Sequence, residues 1–112
     1  MMAERLPLMA GNWKMNTDLK SAIILATSLK EATKNAVKEN VEIAVFPPYP
    51  FLRDVEKALQ GSIIKVGAQT CATTEKGAFT AAVSAPMLAS IGCKYVLVGH
   101  SERCVVFTLY SL

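Results

Sequence analysis

The residues best equipped for chemistry fall in three short stretches. "GNWKMN" carries Asn12, Lys14 and Asn16, Gln69 follows the apolar run "IIKVGA", and His100, Ser101 and Glu102 follow "KYVLVG". A lysine fixed beside a strand end suits a bound anion, because its ammonium would stabilise a phosphate or a developing oxyanion in a water-poor site. Asn12 could fix that lysine's position. His100, the single histidine of the chain, suits acid or electrophile work at the end of a strand. Glu102 could pair with Lys14 and hold it, or pair with Arg103 on the surface. Taken one at a time these residues are ordinary. Most lysines serve solubility, an asparagine after a strand commonly bonds its own backbone in a turn, and Trp13 is most simply a packing residue. The weight lies in their convergence, which depends on the elements that carry them.

Each stretch follows a short apolar run that ends near Gly or Pro: residues 7–11, 41–46, 63–68 and 94–99. Short runs of this kind, several of them β-branched, read as buried strands of a parallel sheet. Helical patterns separate them. Residues 17–40 space Leu19, Ile23, Ala26, Leu29 and Thr33 at helical intervals behind a cap at Thr17 or Asp18, as an amphipathic helix requires. Residues 50–61 stripe Leu52, Val55 and Leu59 between Pro50 and Gly61; residues 84–92 run from a Ser84 cap through Pro86, Met87, Leu88 and Ile91 to Gly92. Parallel strands need crossovers, and helices supply them, so the class is α/β with right-handed βαβ units. In such sheets ligands bind beyond the carboxyl ends of the strands. All the candidate residues follow strand ends, so they share one face.

Two segments break the rhythm. Residues 69–83 form a long stretch without a strong period, and "GAFT" within it, at 77–80, sets an aromatic behind a glycine. A connection this long is commonly functional. Where a fourth helix should follow "HSER", the chain continues as "CVVFTLYSL", uncharged and apolar. That tail reads either as an edge strand over an otherwise open sheet or as a sticky element.

Composition narrows the function classes. The chain has 112 residues, 52% hydrophobic and 19% charged, which fits one domain with a core to build. The net charge of +3 is scattered, without the basic stripe of a nucleic-acid binder. Cys71, Cys93 and Cys104 form no C-x-x-C pair and find no second histidine, so reduced thiols are expected, with no metal and no cofactor. There is no signal-like apolar region and no run of the roughly 20 apolar residues a membrane span needs. A soluble, cytoplasmic protein is the expectation.

"GNWKMN", "FPPYPFL", "VGAQ", "GAFT..VSAPML" and "CKYVLVGHSER" occur in order from about Leu8 to Arg103. Together they closely resemble the first half of triosephosphate isomerases. The resemblance implies a partial TIM barrel, about four parallel βα units of an eight-stranded barrel, over residues 1–103, with a divergent tail at 104–112. It implies interconversion of dihydroxyacetone phosphate and glyceraldehyde 3-phosphate through an enediolate, as in glycolysis and gluconeogenesis. The partner is a small phosphorylated triose, and no cofactor or metal takes part. The resemblance makes Lys14 both a catalytic residue and, with Asn12 before it, a substrate-binding one. His100 is the neutral electrophile, in a family that is itself the standard example of a helix N-terminus keeping an imidazole neutral. Glu102 matches the family's buried glutamate beside the lysine. The stretch 69–83 resembles the segment that reaches into the neighbouring subunit of a homodimer, which places Gly77, Phe79, Thr80 and Arg103 at an interface, with Thr80 near the partner's active site.

Three departures stand beside the resemblance. The family's general-base glutamate and closing lid belong to later strands that these residues do not contain. "GAFTAA" replaces the usual "GAFTGE", so Ala82 stands where the family has a glutamate that pairs across the interface with the arginine matching Arg103. The helix expected after Arg103 is replaced by the tail, and with it goes the reason for the His100 imidazole to stay neutral. These departures lead to the expectation of a chain inactive alone, or of a non-catalytic chain that binds a full-length subunit or a phosphosugar.

Overall fold

The computed structural model describes residues 6–36, 40–72, 76–98 and 105–108, the last for backbone and strand pairing only. The chain runs β1 (Leu8–Asn12), α1 (Leu19–Ala32), β2 (Glu42–Phe46), a single 3-10 turn at Tyr49–Phe51, α2 (Leu52–Ala58), β3 (Ile64–Ala68), α3 (Ala85–Ser90), β4 (Tyr95–Val98) and β5 (Val105–Thr108). The sheet order follows the chain, β1-β2-β3-β4-β5. The pairs β1–β2, β2–β3 and β3–β4 are parallel, whereas β5 pairs antiparallel with β4. Four parallel strands with helical crossovers form a curled half-barrel, the α/β architecture that the apolar runs imply. Of the two readings of the tail, its described part takes the edge strand: Val98 stands opposite Val105 and Tyr95 opposite Thr108.

Strand alternation sorts side chains into two cores, since successive residues point to opposite faces. On the helix-covered face, Val45, Ile64, Val66, Ala68 and Val96 pack with Ala22, Ala26, Leu52, Val55, Leu59, Leu88 and Cys93, and Trp13 packs against them. On the opposite face Ala44, Phe46, Tyr95 and Leu97 form a smaller cluster with Leu8 against it. Gly67 lies beneath the Phe46 ring, which occupies the place a Cβ would take. Across the same face the Tyr95 hydroxyl donates to Glu42 Oε2 at 2.9 Å.

The helices are shorter than their patterns, and two apolar stripes are corrected. Asp18, one of two candidate caps, accepts from the Ser21 N–H at 2.8 Å while Ser21 Oγ receives the Asp18 N–H at 2.9 Å, a reciprocal capping box. This hydrogen bonding holds the Asp18 carboxyl below its usual range. At the other end α1 stops at Ala32, and the Thr33 hydroxyl donates to the Leu29 carbonyl of its last turn at 2.8 Å. The buried face of α1 is Ala22 and Ala26 with half-buried Leu29 and Thr33. Leu19 and Ile23, expected inside, are exposed: small alanines bring α1 close to its neighbours and leave larger side chains at the margins. In α3 the Ser84 cap holds, accepting from Met87 N–H at 3.3 Å, but Met87 is 52% exposed while Leu88 is buried. The α2 stripe Leu52, Val55 and Leu59 is buried as spaced.

β1 is the open edge. Among the described residues its strand partner is β2 alone, and four of its five positions are exposed, Leu8 being half-buried. An uncharged edge invites pairing with another chain. Substituting Met9, 62% exposed, with Lys should therefore lower self-association in sedimentation at matched concentration.

The base of the long connection is tied down at several points. Ala72 N–H donates to the Val83 carbonyl at 2.7 Å, closing its neck. The Tyr49 hydroxyl donates to the Thr70 carbonyl. Burial, with the Cys71 and Cys93 thiols nearby, pushes Tyr49 up to about 12. Ala81 has φ +72, the left-handed region that glycine enters freely and alanine does not. The sequence resemblance implies a glycine at this position, in "GAFTGE". Ala81→Gly should raise stability by about 1 kcal/mol, read from the urea midpoint at unchanged m-value.

Burial, and then the nearby Glu56 carboxylate, raises Cys93 from 9.0 to about 11. A folded-state value above the unfolded one contributes stability that is whole below the lower value and lost as pH rises through the higher. Stability should decline from pH 9 upward, and Cys93→Ala should remove the earlier part of that decline in pH-dependent urea unfolding.

Candidate functional site

The site is built where the carboxyl ends of β1, β2 and β3 meet. Parallel register sets Asn12 opposite Phe46, and the Trp13 N–H extends the ladder by donating to the Phe46 carbonyl at 3.1 Å. Beyond Trp13 the chain turns sharply. Lys14 takes φ +56 and Thr17 φ +81, an unfavourable region for residues with a Cβ. Side-chain amides hold the turn. Asn12 Oδ1 accepts from the Lys14 backbone N–H at 2.8 Å, and Asn16 Nδ2 donates to the Trp13 carbonyl at 2.7 Å. Asn12 therefore does what a turn asparagine does, and in doing so fixes the lysine. Thr17 Oγ1 is buried there with no partner in the described protein.

Gln69, at the end of β3, completes the arrangement. Its Nε2 donates to the Lys14 carbonyl at 2.7 Å and to the Phe46 carbonyl at 2.9 Å. One amide thus ties three strand ends together. Sequence reasoning named Gln69 only as a polar residue past a strand. Its acceptors are backbone carbonyls distant in the chain, which leave no trace in residue types.

Lys14 is exposed, and among the described residues no carboxylate forms a salt bridge with it; the ion pairs there are Lys34–Glu31 and Arg53–Glu56. The result is an ammonium on a rigid turn, open to solvent at the carboxyl end of a parallel sheet. It can bind an anion by charge with little further ordering of the backbone. His100, Ser101, Glu102 and Arg103 lie outside the described residues. β4, parallel to β3, ends at Val98 toward the same end of the sheet. Among the described residues no three His, Cys, Asp or Glu side chains gather as a metal site, and no helix is long and apolar enough to cross a membrane.

Gly77, Phe79 and Thr80 are exposed on the connection between β3 and α3. Gly77 has φ +143 and lies against the Phe79 ring, which is 57% exposed. A cavity of about 200 Å³ opens beside this tip, lined by Ala72, Lys76, Phe79, Ala82 and Met87 among others. Arg103, grouped with these residues by resemblance, is among those not described.

Comparison with known proteins agrees with this architecture. A family profile described as Triosephosphate isomerase matches residues 7–109. A triosephosphate isomerase of Saccharopolyspora erythraea is 46% identical over 101 residues, covering 88% of this chain and 39% of that protein. One from Nitrosococcus oceani is 43% identical, covering 92% of this chain and 40% of its own length. One from Thiobacillus denitrificans is 48% identical, covering 88% and 38%. The chain thus spans about two fifths of the length of these curated relatives. With a half-barrel of four parallel strands, strand ends stitched around a lysine and a profile match over most of its residues, the chain belongs to the triosephosphate isomerase family.

Proposed function

We propose that this chain binds a phosphorylated triose at the carboxyl ends of its strands, in the service of triosephosphate isomerisation. The single observation carrying the reading is the immobilised Lys14 turn, its N–H held by Asn12 and its carbonyl by Gln69. A phosphate dianion meeting a lysine on an ordered backbone gains charge attraction without the entropy cost of arranging the turn. Asn12 shapes that turn, His100 acts as electrophile on the substrate carbonyl, and Glu102 supports Lys14. Proton abstraction from the substrate carbon needs a base, which in this family is a glutamate with no counterpart within these 112 residues. The 112-residue chain by itself therefore binds without turning substrate over. Cytoplasmic residence accords with that metabolic role.

Purified chain should show no isomerisation of glyceraldehyde 3-phosphate above a Lys14→Ala control from the same host. Turnover that disappears in the mutant would mean that another group supplies the base. Inorganic phosphate should perturb the NMR signals of Lys14, and Lys14→Ala should abolish saturable binding.

A second reading, in which the chain is a non-catalytic partner of a full-length subunit or of its own kind, is favoured by the exposed Phe79 tip and its adjoining cavity. Gly77, Phe79, Thr80 and Arg103 form its contact surface, as in a homodimer. Ala82, exposed beside the tip, offers no carboxylate to a partner arginine, and leaving a desolvated charge unpaired is costly. Ala82→Glu combined with Ala81→Gly should tighten association by at least tenfold, an order set by about 1.4 kcal/mol per decade, in analytical ultracentrifugation. An unchanged dissociation constant would refute that contact.

A further inference from the structure

We propose that Gln69 is a positioning residue for Lys14: its amide holds the lysine's backbone in the left-handed conformation that sets the direction of the ammonium. The ligand role of Lys14 rests on the function proposed above; the claim about its backbone does not. Lys14 has φ +56, a conformation that a residue with a Cβ leaves unless its surroundings hold it. Only two described side chains hold the Lys14 peptide groups, and they act on opposite sides of its Cα. Asn12 Oδ1 receives the N–H at 2.8 Å, from the end of β1 two residues back. Gln69 Nε2 donates to the carbonyl at 2.7 Å, from the end of β3.

The two contacts differ in what they fix. Asn12 is the last residue of β1, opposite Phe46, so its bond ties the turn only to the strand that leads into it. Gln69 also donates to the Phe46 carbonyl at 2.9 Å, and Phe46 is fully buried in β2. Through that second bond Gln69 ties the lysine's carbonyl across to β3 and β2, strands that Asn12 does not belong to. Fixing φ and ψ fixes the Cα–Cβ vector, and with it the arc the ammonium can reach. A glutamine suits this place because its NH₂ carries two donors for two carbonyls. Leucine would match its bulk and donate nothing, and glutamate would face two carbonyl oxygens with a carboxylate.

The experiment compares the full chain with Gln69→Leu and Gln69→Glu by NMR, following the Lys14 HN–Hα coupling and Cα shift, with the α2 amide signals as the control for folding. Inorganic phosphate is then titrated into each. The expected result is that both variants keep the α2 signals, lose the left-handed signature at Lys14, and bind phosphate about tenfold more weakly, the scale of one or two lost hydrogen bonds. A Lys14 signature unchanged in either folded variant overturns the proposal. Parent chain in which phosphate leaves Lys14 undisturbed overturns the anion-binding reading instead, and the backbone signature alone then decides the role of Gln69.

Discussion

The Phe46 carbonyl is the point on which the described site depends. It closes β2 by accepting from the Trp13 N–H and, on its other lone pair, from Gln69 Nε2. A carbonyl oxygen has two lone pairs, and here they join β1 and β3 to the strand between them. The same residue's ring is fully buried on the opposite face from the helices and lies where a Cβ on Gly67 would stand. Backbone and side chain of one residue therefore set the spacing of three strands and the meeting of their ends. The Lys14 turn hangs from that junction.

Parallel pairing explains why such a junction can exist. It brings the carboxyl ends of successive strands to one end of the sheet, while helical crossovers return the chain to the other. The polar residues past those ends then need no separate device to meet. Strain collects there too: Lys14 and Thr17 both have positive φ. A strained turn is kept only where surrounding bonds over-determine it, and Asn12, Asn16 and Gln69 supply those bonds.

The half-barrel meets its two edges differently. β5 pairs antiparallel along β4 and occupies that side of the sheet, so a further parallel strand cannot add there while the pairing lasts. β1 presents an uncharged row, and α1 leaves Ile24 and Leu25 exposed.

Local pattern determined much of this protein. The order of strands and helices, the Leu52–Val55–Leu59 face, the Ser84 cap and the grouping of Asn12, Lys14 and Gln69 at one face were legible because periodicity and capping are properties of neighbouring residues. The motifs around them also carried the family. Tertiary structure decided the rest. Which face of α1 is buried depended on how closely Ala22 and Ala26 let neighbouring elements approach. Where β5 pairs depended on β4 offering a free edge. The bond from Gln69 to the Lys14 carbonyl joins residues that no local pattern relates, since a backbone acceptor looks the same at every position until the fold brings a donor to it.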